Sequence, residues 1–154
     1  MGDTLEVGRS VVATAPVRIA DVGGWTDTWF GAPGRVCHVA VGPGVRVDAE
    51  ITADSGVLRL VAPGIGIDRE VVSASGGAGA LNLLDHAVAA VLDAMPLPAH
   101  LGIDLTITSA VPPGASLGTS ASVLVATIGA LDALVADGTR LPAEIAVLAH
   151  EVET

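Results

Sequence analysis

Residues 112–122 read Pro-Pro-Gly-Ala-Ser-Leu-Gly-Thr-Ser-Ala-Ser, and their types and spacing suit phosphate chemistry. Gly114 and Gly118 let a backbone approach a ligand with no Cβ in the way. Ser116, Thr119, Ser120 and Ser122 add hydroxyl donors. A strand-like run precedes the segment and a long helical run follows it. The unpaired N–H groups of that helix start, with the positive end of its dipole behind them, would face the same space. An anion site of this kind needs no lysine and suits a di- or triphosphate. A serine hydroxyl there could also ligate Mg²⁺. Composition by itself fits an ordinary capped turn equally well, because Gly- and Ser-rich turns before helices are common.

The rest of the chain narrows the chemistry. All seven basic residues are arginine, set against 17 acidic residues, for a net charge of −10. So acidic a chain is not expected to hold nucleic acid on a general basic surface. The absence of lysine excludes a Walker A loop, a Schiff base and a kinase of the protein-kinase type. His38, His86, His100 and His150 show no metal-ligand spacing and read as surface or satisfied core residues. Cys37 is the sole cysteine, so no internal disulfide can form; it reads as a small buried hydrophobe in a cytoplasmic protein. No secretory signal stands at the N-terminus. Residues 121–131 are apolar enough for lipid but too few to span it, so no membrane partner is expected.

The elements that must position these residues follow from the hydrophobic pattern. Residues 10–15 and 17–22 read as two strands split by Pro16, and residues 36–41 and 45–51 as two more joined by a Gly42-Pro43-Gly44 turn. Residues 57–61, and then 67–73, are further strand candidates, and 75–80 reads as a Gly-rich loop. The loop 25–35 holds all three aromatics, Trp25, Trp29 and Phe30. In residues 81–95 the period changes: Leu84, Val88, Val91 and Met95 share a helical face, with Asp85, His86 and Asp93 elsewhere. Residues 101–110 alternate as a strand. Residues 120–136 are apolar nearly all round and read as a central buried helix. Residues 142–153 read as a last helix with Pro142 in its first turn. The order predicts one α+β domain over residues 1–154, a largely antiparallel sheet with helices packed on one side. No internal repeat or linker is apparent.

Two stretches together resemble the GHMP kinases. Residues 112–121 resemble that family's second motif, P-x-x-x-G-L-G-S-S-A, with Ser116 where the family usually carries Gly. Residues 15–27, Ala-Pro-Val-Arg-Ile-Ala-Asp-Val-Gly-Gly-Trp-Thr-Asp, resemble its first motif, A-P-x-R-(I/L)-x-(L/F)-x-G-G-x-(T/S)-D, in the form found in heptose-7-phosphate and L-fucose kinases. The resemblance implies the ribosomal protein S5 domain 2-like fold and an ATP- and Mg²⁺-dependent kinase acting on a small sugar or sugar phosphate. It places the ATP phosphates on Pro113, Gly114, Ala115, Ser116, Leu117, Gly118, Thr119 and Ser120. It places the substrate near Arg18, Gly24, Trp25, Thr26 and Asp27, with Asp27 accepting hydrogen bonds from sugar hydroxyls and an indole covering a sugar face. An Asx-turn at Asp27 and plain loop packing for the tryptophans are the simpler alternatives. For the metal it implies Ser120 and Glu153, with Glu151 the second choice; solvated helix carboxylates remain the alternative for both.

The resemblance also implies something missing. The family's catalytic Asp follows the metal-binding Glu in a G-G-x-x-D-type segment, for which residues 1–154 have no match. That Asp is therefore expected beyond Thr154, and no catalytic residue is assigned within the sequence. A third, Gly-rich motif and a C-terminal domain have no match either. The sequence reads as the N-terminal, ATP-binding portion of a kinase, with a non-catalytic nucleotide- or sugar-binding module or a decayed kinase remnant as the alternative.

Overall fold

A computed structural model describes residues 5–23, 34–54, 56–71 and 83–153. Five strands, β1 (Ser10–Val22), β2 (Cys37–Thr52), β3 (Leu58–Ala62), β4 (Ile67–Val71) and β5 (Gly102–Ser109), form one sheet. Their spatial order is β1-β2-β5-β3-β4, antiparallel at every pairing except β3 with β5. Helices α1 (Leu83–Leu92), α2 (Thr119–Val135) and α3 (Pro142–Glu153) complete the described chain.

The period-2 pattern of the strands decides which face is covered. Val45, Val47, Ala49 and Ile51 of β2 point inward with Leu60 of β3 and Ile103, Leu105 and Ile107 of β5, all buried. Arg46, Asp48, Glu50, Arg59 and Asp104 face water on the opposite side. The helices close over the apolar face. Leu124, Ile128, Leu131 and Leu134 of α2 are fully buried, and α2 packs on β1 and β2 and is flanked by α1 and α3. The expected α+β architecture, with helices on one side of a mainly antiparallel sheet, is the one observed. Among the described residues no helix is long and apolar enough to cross a membrane.

Five local expectations are corrected. Pro16 does not end a strand, and Gly42-Pro43-Gly44 is not a turn between two others. Both lie within long, continuous strands and face each other at a bulge: Ala15 pairs with Val45, and Val17 pairs with Val41. Two chain steps on β1 therefore oppose four on β2, which absorbs a Pro without a ladder N–H. A Cβ at Gly44 would fall 2.1 Å from the Ala15 carbonyl oxygen, so glycine is required there. Cys37 is exposed, because the paired ends of β1 and β2 run past the cover of the helices. Asp85 is buried on α1, where Arg69 of β4 donates to its Oδ1 at 2.5 Å. Met95 lies beyond the end of α1 and is 39% exposed. The expected loop 75–80 and the aromatics Trp25, Trp29 and Phe30 lie outside the described residues.

Candidate functional site

The segment 113–120 leaves β5 and runs into the first turn of α2, as its composition predicts. Three of its residues adopt the left-handed backbone region: Gly114 at φ +80°, Ser116 at +57° and Gly118 at +68°. Gly118 is the residue before the helix and makes no side-chain cap, so the first N–H groups of α2 are left to the space in front of the loop. At Gly114 an added Cβ would meet nothing within 4 Å, which leaves that stretch of backbone open to a ligand. Thr119 Oγ1 is buried without a hydrogen-bond partner. Burying a hydroxyl unpaired costs about 1–3 kcal/mol, and Thr52 and Thr127 carry the same feature away from the loop.

The loop is held to β1 by three contacts. The Arg18 N–H donates to the Leu117 carbonyl at 2.9 Å. The Ser122 hydroxyl donates to the Pro16 carbonyl at 2.7 Å. The Arg18 side chain lies against Gly118, where an added Cβ would fall 2.9 Å from Nε. The Pro16 bulge thus has a second consequence: a carbonyl that would enter the sheet ladder is turned toward α2 and fixes its first turn.

Two cavities flank that turn. One, of about 640 Å³, opens beside residues 111–114 and is walled by aliphatic side chains including Ile65, Ile67, Leu83 and Val123; Thr119 and Ser120 stand at its loop end. The other, of about 390 Å³, lies between β1, β2 and α3 and is lined by Arg18, His38, Gly118, Ser122, His150 and Glu153, among others. The two meet at one hydrogen bond, in which the Ser120 hydroxyl donates to Glu153 Oε1 at 2.9 Å, across 33 residues of sequence.

That hydrogen bond brings together the two residues expected at the metal. Glu151, the second choice, is exposed and makes no such contact with the loop. A hydroxyl and one carboxylate suit a hard cation that keeps waters and takes ligand phosphate oxygens, as Mg²⁺ does. Among the described residues no group of three or more His, Cys, Asp or Glu is placed to hold a metal by itself. Of the expected substrate contacts, Arg18 reaches the second cavity; Gly24, Trp25, Thr26 and Asp27 lie outside the described residues. Thr154, beyond which the catalytic Asp is expected, lies outside them as well, and the described chain stops at Glu153. The sequence reading missed the aliphatic cavity and the part of His38 and His150 in the other. For His150 a signal was available: it precedes Glu153 by three residues and so shares its helix face. The aliphatic cavity had none, since its walls come from separate segments.

Comparison with known proteins bears on the family and the fold. Residues 82–154 match the GHMP kinases N terminal domain. The chain is 33% identical over 156 aligned positions to the mevalonate kinase of Pyrococcus abyssi, covering 94% of this chain and 44% of that protein. Among solved structures, the fold resembles a D-glycero-D-manno-heptose 1-phosphate kinase from Bacteroides thetaiotaomicron, with a TM-score of 0.71, 21% identity and coverage of 92% of this chain and 47% of that one. It also resembles the Lactococcus lactis galactokinase, with a TM-score of 0.71, 20% identity and coverage of 94% and 37%. The chain spans less than half the length of each of these proteins.

Proposed function

We propose, from the premise that this chain belongs to the GHMP kinase family, that residues 1–154 carry the nucleotide-gripping part of an ATP-dependent kinase whose acceptor is a hydroxyl of a small molecule, a sugar or sugar phosphate. One observation carries the proposal: the first turn of α2 separates two cavities of unlike lining and joins them through Ser120 and Glu153. A nucleoside seated against Ile65, Leu83 and Val123 would run its phosphates over residues 113–120. An acceptor seated beside Arg18 would meet them at the junction.

The residues divide the work. The aliphatic walls bury a base by contact alone, with no described aromatic to stack on it. The N–H groups at the start of α2 and the Thr119 hydroxyl hydrogen-bond phosphate oxygens from fixed positions, so little reorganisation is needed as charge shifts. Ser120 and Glu153 would hold Mg²⁺, and bound MgATP supplies the phosphoryl group and much of its charge neutralisation. Arg18, braced by Gly118, offers a fixed positive group on the acceptor side. Catalysis of this type is chiefly positioning and electrostatics. The family's catalytic Asp has no match within these 154 residues, so the chain by itself is proposed to bind nucleotide without transferring its phosphoryl group.

Calorimetric titration with MgADP tests the reading. One saturable site is expected, and it should be lost in Gly118→Val, where a branched side chain must adopt φ +68° and pushes Arg18 aside. The circular dichroism spectrum of that variant should stay that of the parent. A folded parent chain that binds no MgADP would overturn the proposal, as would a Gly118→Val protein that binds it unchanged.

A further inference from the structure

We infer that Ser122 is a positioning residue for the phosphate loop: its hydroxyl, tied to the bulge in β1, sets the direction in which the first turn of α2 presents its N–H groups. The inference rests on the kinase reading above and deepens it, since it identifies what holds the nucleotide-gripping turn in its working form.

Read as sequence, Ser122 is one of several hydroxyls offered to a ligand. The structure commits it to the protein instead. Ser122 is 7% exposed, and its Oγ lies 2.7 Å from the Pro16 carbonyl oxygen and 3.1 Å from that of Gly118. A hydroxyl has a single proton, so the two carbonyls share it, the nearer taking the greater part. The Gly118 contact is local, the return of a helix serine to the carbonyl four residues back. The Pro16 contact crosses 106 residues of sequence, and no helix needs it.

The bulge makes that carbonyl available. The register passes from Ala15 with Val45 to Val17 with Val41, and Pro16 has no partner on β2. Proline also lacks the N–H that a ladder position uses. The distortion is tightly built: a Cβ at Gly44 would fall 2.1 Å from the Ala15 carbonyl oxygen and 2.8 Å from Pro16 Cα. Bulges re-aim a group out of the ladder, often beside a functional site. Here the group is a carbonyl and its target is Ser122.

Two residues further along β1, the Arg18 backbone N–H donates to the Leu117 carbonyl at 2.9 Å. β1 therefore grips the chain on both sides of Gly118, at Leu117 before it and at Ser122 after it. The Ser122 N–H bonds the Gly118 carbonyl at 3.1 Å and opens the helical ladder, so the N–H groups of residues 119–121 precede it. Gly118 supplies no side-chain cap, and the two bonds from β1 carry the aim of those groups. A site made of backbone dipoles works because it is aimed before the ligand arrives. Released at Ser122, the turn can swing or fray, and its donors lose their aim while the sheet and the rest of α2 persist.

The test is calorimetric titration of the 154-residue chain with MgADP, below the melting temperature of each variant, alongside circular dichroism and thermal melting. Ser122→Ala should keep the parent spectrum and bind MgADP about fivefold or more weakly. Ser122→Thr keeps a hydroxyl able to make both contacts and should bind within about twofold of the parent. Ser122→Cys is close in size but a poor donor; it should bind as weakly as Ser122→Ala, and it carries the comparison if the alanine variant does not fold. Thr127→Val removes another buried hydroxyl of α2, one without a partner, and should leave the affinity unchanged. A merely structural bond would lower the melting temperature of Ser122→Ala and leave the affinity of the folded chain alone, and that result overturns the inference. Ser122→Thr binding no better than Ser122→Ala overturns it too. A parent chain that binds no MgADP overturns the kinase reading itself, whereas a parent and a Ser122→Ala chain that bind equally overturn only the role given to Ser122.

Discussion

Ser116 sits at φ +57°, where the Cβ of an L-residue crowds its own backbone at a cost of about 1–2 kcal/mol. Its place between Gly114 and Gly118, both also left-handed, explains why the related motif carries Gly there. Ser116→Gly should relieve most of that strain, offset by about 0.5–1 kcal/mol of added chain entropy in the unfolded state. A net gain of up to about 1 kcal/mol corresponds to a melting temperature higher by roughly 2–4 °C for a chain of this size. Calorimetric melting checks it, and a lower melting temperature would show that the serine hydroxyl contributes more than the strain it carries. Thr119 makes the opposite case under the proposed function, in which a group disfavoured in the free protein would serve the ligand. Thr119→Val keeps the shape and removes the orphaned Oγ1. The free protein should melt at the same temperature or higher, while MgADP affinity falls about fivefold to tenfold. A variant that loses stability and keeps its affinity would place the hydroxyl's partner inside the protein.

At the scale of elements, the position of α3 matters most, because Glu153 reaches Ser120 only if the α2–α3 corner is fixed. Asp132 fixes it. It is 1% exposed and lies in the last turn of α2, where a negative charge meets the negative end of the helix dipole. Specific bonds must outweigh that cost: its carboxylate accepts the Arg140 backbone N–H at 3.1 Å and the guanidinium at 2.5 Å. Arg9 adds a second tie, donating to the Ala133 carbonyl and to Asp137. Glu144 accepts the Leu141 N–H at 2.7 Å and so caps α3 itself. Asp132→Ala should cost about 3 kcal/mol, the low end for a broken buried pair because the Arg140 side chain keeps 23% of its exposure. Urea denaturation measures it, and a loss under about 1 kcal/mol would mean that the corner is held elsewhere. The bounds of α2 and α3 were legible in the sequence to within a residue, since apolar periodicity and Pro142 are local signals. The Pro16 bulge was not, because it exists only in the pairing of β1 with β2. Asp85 was misread for the same reason: its partner Arg69 sits on a strand, outside any helical pattern. Within the site, the loop residues and the pair Ser120 and Glu153 could be named from sequence motifs. The aliphatic cavity is assembled from separate segments, and nothing local announces it.

On the scale of the whole molecule, the covered and uncovered parts of the sheet differ sharply. The ends of β1 and β2 project beyond the helices and expose Ile19 at 51%, Val22 at 61% and Val39 at 59%. Ile19 and Val39 are direct cross-strand partners, so their side chains add to one surface, on the face of the ribbon opposite Arg18 and His38. Isolated exposed apolar residues are ordinary in soluble proteins, whereas a contiguous set on paired strands is a contact surface. A net charge of −10 opposes association at low salt and is screened at high salt, where the Debye length falls to about 3 Å at 1 M. The 154-residue chain should therefore self-associate through this ribbon, weakly at low ionic strength and more strongly as salt rises. Sedimentation velocity under reducing conditions measures this without interference from exposed Cys37. Ile19→Thr with Val39→Thr should abolish the association and leave the melting temperature nearly unchanged, because surface substitutions away from packed features usually stay within about 0.5 kcal/mol. A double variant that associates as the parent does would move the contact away from the ribbon. Association that weakens with salt would make it electrostatic rather than apolar.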